Sequence, residues 1–435
     1  MSSVDRNSIA RSPAASGKRF LAIQSVVLLV LCGLGASHYR TTHSQRTIPK
    51  FRNQPRVIRS NSDLPLAITD EQLAAVLHKL RPRLNQAQPK INFVDHALRM
   101  WGDEVEFDDP SCLSGSEMRQ LLVDHRTFAK RWGKKERPLI IHDERGVSWR
   151  TQQGNSTISH VDHTLATLAE IGVCLDEPVR TSVGHSSMSG LLETAVRRFQ
   201  LNQAEYEWTA LACALYAEDL ENWVTREGQS LDLDQIAERI IRERPNKGVC
   251  YGNHRLFTLV MLLRIDDETN WFSPKGRAAA IAHLREMTGR LVASQSAEGY
   301  WDSNWPDAKQ PVDEKQQPTA RRLLATGHAL EWWAMAPAEL QPPRETVIRA
   351  AQWLVREVDE LDESEVTKNY TFLTHVGRAL ALWRGGDVGE LYARLQHHVR
   401  DTKTTVEAVQ TGMNDNVDHA DGQVVEIATP ETLRD

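Results

Sequence analysis

The sequence predicts an all-α protein built as an α/α toroid, an α6/α6-type barrel of helical hairpins, preceded by an N-terminal transmembrane or signal-anchor helix. Three observations predict it. Strand signals are nearly absent, one short segment recurs six times, and charged amphipathic helices alternate with apolar helices rich in small residues. With 435 residues and 40% hydrophobic content, the chain is long enough to bury one large core or two ordinary ones.

At the N-terminus, Arg6, Arg11, Lys18 and Arg19 precede a 17-residue apolar run from Phe20 to Ala36, interrupted only by Gln24 and Ser25. That length is at the lower limit for crossing a bilayer and slightly long for a signal-peptide core. Because no small-x-small triplet there stands out as a cleavage site, it reads as an uncleaved anchor over 20–36 in preference to a cleaved signal peptide, after a tail at 1–19. The expectation is a single-pass membrane protein that contacts the lipid bilayer through residues 20–36 and keeps its folded body on the exported side. Charge does not choose the orientation, because Arg40, Arg46, Lys50, Arg52 and Arg56 match the basic residues before the run. Residues 37–65, polar and basic with Pro49, Pro55 and Pro65, read as a linker lifting the body off the membrane.

The toroid is assigned to residues 66–400. It opens with a capping box, Thr69 with Gln72, which starts a helix running through Leu80. The only strand candidate is Leu139 to Trp149. His96-Ala97-Leu98-Arg99-Met100-Trp101 and His328-Ala329-Leu330-Glu331-Trp332-Trp333 are near-identical, and Val161-Asp162-His163-Thr164-Leu165 repeats Val94-Asp95-His96-Ala97-Leu98 with one change. Aligned on the histidine, further members start at Thr209, His254 and Arg378, so a unit of about 45 to 50 residues recurs six times with two insertions. A charged helix precedes each, at 71–80, 117–131, 189–200, 231–244, 277–294 and 344–358. Helices such as Trp208 to Ala217 are apolar around most of their circumference, which requires neighbours on every side. A ring of apolar helices inside a ring of charged ones meets that requirement.

Residues 401–435 read as an acidic disordered tail, with eight carboxylates against Lys403 and Arg434; the net charge of −6 arises there and leaves the body near neutral. No concentrated basic face suggests a nucleic-acid partner. The five cysteines lie far apart with no C-x-x-C pair, which argues against a disulfide framework or structural zinc; Cys32 sits in the apolar segment, and Cys112, Cys174, Cys213 and Cys250 read as small buried residues. No metal site is assigned, and the cofactor is left unknown.

In a ring of hairpins the inner helices run in one direction, so their N-termini gather at one mouth, where open amides and aligned dipoles favour an anionic group. The repeat brings His163, His254, His328 and Glu331 to that mouth as candidate catalytic residues, because histidine exchanges protons near neutral pH. His96, Asp162, Asn253, His375 and Trp333 are the candidate ligand-binding residues beside them. Paired with Asp or Glu, the histidines also suit a divalent metal.

Gln295-Ser296-Ala297-Glu298-Gly299-Tyr300-Trp301 resembles the QW motif of the terpenoid cyclase and protein prenyltransferase α/α-toroid superfamily, in which such strings close outer helices. Its chemistry fits a helix end: the Gln amide satisfies open carbonyls, Gly takes the left-handed cap, and Trp packs over both. The Asp-x-Asp-Asp acid motif of squalene-hopene-like cyclases does not occur, and no Asp, Cys and His set matches a prenyltransferase zinc site. Residues 325–333 also look like the Gly-His-Ala-hydrophobic-Glu-Trp string of N-acylglucosamine 2-epimerase-like barrels, a resemblance that implies a His and Glu facing a sugar. The expectation is a ligand-binding toroid with a His-lined cavity for a small molecule, an isoprenoid or a sugar. The alternative is a terpenoid-cyclase-like, prenyltransferase-like or carbohydrate-active enzyme using His/Glu acid-base chemistry.

Overall fold

The computed structural model describes residues 13–396 apart from 45, 46, 61, 221, 222, 226, 227, 313, 314 and 316, with the backbone alone for 13–19 and 37–44. The expected tail at 401–435 lies outside the described residues. The first helices are α1 (Pro13–Ser44), α2 (Asp70–Lys79), α3 (Ile91–Trp101), α4 (Gly115–Val123), α5 (His125–Trp132), α6 (His163–Glu170) and α7 (Met188–Arg198). They are followed by α8 (Tyr206–Tyr216), α9 (Leu233–Arg242), α10 (Asn253–Thr269), α11 (Pro274–Ser294), α12 (Thr319–Met335), α13 (Arg344–Glu360), α14 (Glu363–Lys368) and α15 (Tyr370–Leu382). Two small antiparallel hairpins interrupt them: β1 (Ile140–Asp143) with β2 (Gly146–Trp149), and β3 (Pro178–Arg180) with β4 (His185–Ser187).

The protein is mostly helical, as expected of an all-α chain, and the two kinds of helix differ in burial. Outer helices bury one stripe, such as Leu233, Ile236, Ala237 and Ile240 of α9. Capping boxes at Thr69/Gln72, Ser114/Glu117 and Asp232/Gln235 start α2, α4 and α9 by satisfying open first-turn amides. The helices of the repeat are buried on all sides; every residue of α8 is buried. They contact one another in sequence: α3 packs on α6, α6 on α8, α8 on α10, α10 on α12, α12 on α15, and α15 returns to α3. In addition α4 packs on α3, α7 on α8, α9 and α11 on α10, and α13 on α12.

The turn after α11 works as its residue types suggest. Gln295 Nε2 donates to the carbonyls of Gly299 and Thr346, both at 2.9 Å, and the buried Trp301 indole donates to Leu291 O at 2.7 Å. Gly299 has φ +114°, and a Cβ there would lie 2.4 Å from Arg349 O. Gly299→Ala is therefore expected to destabilise the fold by about 1–3 kcal/mol, read as a lower urea midpoint with an unchanged m-value.

Two expectations for the N-terminal region change. Among the described residues no helix is long and apolar enough to cross a membrane, so the transmembrane anchor is not supported. Although α1 is long, the apolar run 20–36 rises about 26 Å, less than the roughly 30 Å hydrocarbon core of a bilayer. Its large apolar side chains, from Phe20 to Leu34, are all more than half exposed. Nor do residues 47–65 stand clear of the body. Arg52 and Arg56 amides donate to the carbonyls of Tyr216 and Leu215 at the end of α8, and Leu64 N donates to Trp383 O, each at 2.8–2.9 Å. Ser60 Oγ adds a bond to Ala334 O. Proline breaks helix formation here, but open carbonyls at the C-terminal ends of the inner helices capture the extended backbone.

Candidate functional site

The interior carries charge and imidazole where a helical core is ordinarily apolar. His96 on α3, His163 on α6, His254 on α10, His328 on α12 and His375 on α15 converge, each no more than 3% exposed. Their rings form a contiguous cluster: His96 stacks on His163 at 4.5 Å between centroids, His254 meets His328 at 5.0 Å, and His328 meets His375 at 3.7 Å. His160 reaches in beside them, 5.4 Å from His254 and 5.6 Å from His96, while Trp208 of α8 packs against both His163 and His254.

Three carboxylates hold the imidazoles by Nδ1. Asp95 Oδ2 is 2.5 Å from His163 Nδ1, Glu205 Oε1 is 2.5 Å from His160 Nδ1, and Glu331 Oε2 is 2.9 Å from His375 Nδ1 and 3.4 Å from His328 Nδ1. A carboxylate at Nδ1 leaves Nε2 as the ring's other functional atom. His163 Nε2, His328 Nε2 and both ring nitrogens of His254 have no hydrogen-bond partner among the described residues.

Burial depresses the basicity of His96, His163, His254 and His375 well below the ordinary histidine range, and the crowding of imidazoles, with Arg99 at His163 and His375, adds to it; His328 is lowered less because Glu331 pulls it back. Burial also opposes charge on His160, but Glu205 outweighs it and raises that ring. Asp95 is raised by burial, and Glu207, one residue before Trp208, is pushed up to about 7. At neutral pH the five-histidine cluster is therefore neutral imidazole, each ring offering one donor and one acceptor.

Above the histidines, toward the C-terminal ends of the inner helices, lies a layer of ion pairs. Arg99 Nη1 donates to Glu331 Oε1 at 2.7 Å and its Nε to Glu170 Oε1 at 3.2 Å; Arg378 Nη2 donates to Glu170 Oε2 at 2.7 Å and its Nη1 to Glu331. Burial alone would raise Glu331, but Arg99 and Arg378 hold its carboxyl well below the usual carboxylate range. Arg99, Glu170 and Arg378 form the floor of a cavity of about 560 Å³ walled by residues 56–60, 102–106 and 385–393.

Of the residues expected at the site, His96, His163, His254, His328, Glu331 and His375 come together. Asn253 adjoins the cluster, its Nδ2 bonded to Cys250 O at 2.9 Å. Asp162 does not join: it accepts from Thr209 Oγ1 at 2.6 Å and ties α6 to α8. Trp333 faces the other way, its indole donating to Thr288 on α11 at 3.0 Å and its ring against Trp301. The histidines do not line a mouth either. Only His163 and His254 stand in the first turn, because α3, α12 and α15 begin five to nine residues before their histidines. The open cavity lies beyond the ion-pair layer, at the opposite ends of the helices.

The sequence reading passed over Arg99, Glu170 and Arg378 in that layer, and His160, Glu205 and Cys250 near the histidines. Arg99, Glu331 and Arg378 follow His96, His328 and His375 by three residues, a spacing that stacks side chains on one helix face. Cys250 is not the small buried residue expected: it is half-buried, at φ 49° in a left-handed turn shared with Tyr251 and Gly252, with its thiol pushed up to about 12 by burial. Among the described residues, four groups have the residue types and closeness to hold a metal ion: Cys250 with His254 and His328; Asp95 with His96 and His163; His160 with Glu205 and His254; and His328 with Glu331 and His375. Compared with protein-family models, curated proteins and solved structures, the chain matches none.

Proposed function

We propose that the chain is an α/α toroid that binds an amphipathic small molecule in the cavity at the C-terminal ends of its inner helices. The observation that carries the reading is the cavity's make-up: a polar floor of Arg99, Glu170 and Arg378 beneath apolar side chains that include Trp101, Met261, Met335 and Leu382. The cycle of contacts through α3, α6, α8, α10, α12 and α15 supports the toroid. Four arginines face six carboxylates around the cavity, and the floor arginines are already paired. A neutral head offering several hydroxyls, as in a sugar, fits such a lining better than a diphosphate. This favours the carbohydrate side of the resemblances over the prenyl diphosphate side. Catalysis by His163, His254, His328 or Glu331 would need the ion-pair layer to open, whereas binding does not.

A thermal-shift screen of the purified chain tests the reading. A bound oligosaccharide or prenyl alcohol at a hundred times its dissociation constant stabilises the fold by about 2.7 kcal/mol. That shift is expected to vanish in Leu382→Trp, which fills the cavity. Stabilisation by prenyl diphosphates alone, or shifts unchanged in Leu382→Trp, would reject it. The exposed apolar side chains of residues 20–36 are further proposed to attach the protein to a lipid bilayer without a span. Co-flotation of the chain with vesicles, lost when residues 1–46 are removed, is the expected result.

A further inference from the structure

We infer that Cys250, His254 and His328 form a transition-metal site, with zinc the fitting ion. Their ligand atoms lie within 4.8 Å of one another. An ion among three such atoms would be within about 2.8 Å of each, so closure by roughly 0.5 to 0.8 Å gives the Zn–S and Zn–N distances of about 2.3 and 2.0 Å. Thiolate with two imidazoles is a soft, nitrogen-rich set that selects zinc over magnesium or calcium, which take oxygen ligands.

Three independent features point to a ligand there. The first is the orphaned donor set: both ring nitrogens of His254 and Nε2 of His328 are buried without a hydrogen-bond partner among the described residues. Burying such atoms unpaired costs about 1–3 kcal/mol each, and a metal ion satisfies them directly. The second is orientation. Glu331 stands at His328 Nδ1 and is itself fixed by Arg99, Arg378 and His375, the arrangement in which a carboxylate sets the tautomer of a metal-binding imidazole. The third is the backbone. Cys250 and Tyr251, neither of them glycine, occupy the left-handed region in succession, at φ 49° and 60°. That conformation costs about 1–2 kcal/mol per residue, and here it brings the thiol to His254 and His328. Three protein ligands leave one position open, as in zinc sites that bind water or a ligand.

The test uses the full chain without a polyhistidine tag. Purified without chelator, it is expected to carry stoichiometric zinc by mass spectrometry. After chelation, cobalt(II) should give the intense visible bands of a tetrahedral site together with an ultraviolet thiolate-to-cobalt charge-transfer band. Cys250→Ser should lose the charge-transfer band, and His254→Ala should lose stoichiometric binding, while His142→Ala, a change at the β1–β2 hairpin, keeps both. A chain that takes up no cobalt, or a Cys250→Ser spectrum identical to that of the parent, overturns the inference. Should His254→Ala fail to fold, the parent and the near-isosteric Cys250→Ser still decide it. X-ray absorption of the zinc-loaded parent adds a direct count of sulfur and nitrogen scatterers, in which a shell without sulfur would exclude Cys250. The cavity screen on the chelated chain is a separate measurement, so either reading can fail alone.

Discussion

Glu331→Ala is expected to lower the unfolding free energy by about 3–5 kcal/mol, the range for breaking a buried ion pair by removing one partner. Glu331 is 1% exposed on α12, and it accepts from Arg99 of α3 and from Arg378 and His375 of α15. Three inner helices therefore converge on one carboxylate. Truncation leaves two guanidiniums sharing Glu170 alone, in a medium where an uncompensated charge is expensive. Differential scanning calorimetry should show a midpoint lower by roughly 3–6 °C. Glu331→Gln keeps the shape but not the charge, and should fall between the parent and Glu331→Ala. A midpoint within a degree or so of the parent would mean that the ion-pair layer is not formed in solution. The double variant Arg99→Met with Glu331→Leu provides the counter-test. Replacing both partners with apolar groups of similar size should recover part of the loss, because each buried charge then goes with its partner.

The metal-free chain is expected to unfold steeply in mild acid. His96, His163, His254, His328 and His375 all have folded-state basicity below the unfolded value near 6.5. For such a group the unfolded state binds the proton more readily, so its contribution is complete above about pH 6.5 and is lost as pH falls below it. Each contributes a slope of up to about 1.4 kcal/mol per pH unit. Glu207 works the other way: raised to about 7, it holds a proton in the folded state and favours folding as pH falls through that value. His160 and Asp95, both raised, act in the same direction as Glu207. Five depressed histidines outweigh those three, so the net effect is a loss of several kcal/mol between about pH 6.5 and 5. Urea midpoints measured across that range with a chelator present check it. A midpoint flat with pH would show that the imidazoles are hydrated and titrate normally. The double variant His96→Gln with His163→Gln removes two of the five and should flatten the slope.

Much of this was legible in the sequence, and the physical reason is periodicity. Each of the six repeat segments falls on a largely buried helix, because a helix enclosed by neighbours must be apolar around most of its circumference and its composition announces it. The Thr69/Gln72 capping box and the strand candidate at Leu139 to Trp149 are local signals, and local signals survive folding. The site was half legible. Histidines in matching repeat positions converge because matching positions on neighbouring inner helices face the same interior. Arg378 shows the limit: the repeat alignment sets it level with His328, yet its guanidinium lies one turn further along, beside Arg99, and His375 takes the place among the imidazoles. An alignment by residue type cannot distinguish two stacked layers three residues apart. Cys250 and Glu205 were missed for a different reason. Both lie in left-handed turns immediately before inner helices, where position is set by tertiary contacts and no periodicity applies. Trp333 was placed wrongly because a helix buried on all sides gives no sign of which face looks inward.

The contact that returns α15 to α3 has a consequence for biosynthesis. Residues about 280 apart in sequence meet along this seam, with Asn92 of α3 bonded to Thr371 of α15; beside it Lys79 of α2 bonds the backbone of Asp359 on α13. Closing so long a loop is entropically slow, and nothing repays it until the last inner helix arrives. While the chain is still on the ribosome, α3 exposes a flank bearing His96 and Arg99, with His375 on α15 and Glu331 on α12 not yet synthesised. The nascent chain therefore carries an open edge for most of its translation, and a chaperone or a slow codon stretch before residue 370 would act on that edge rather than on any finished domain.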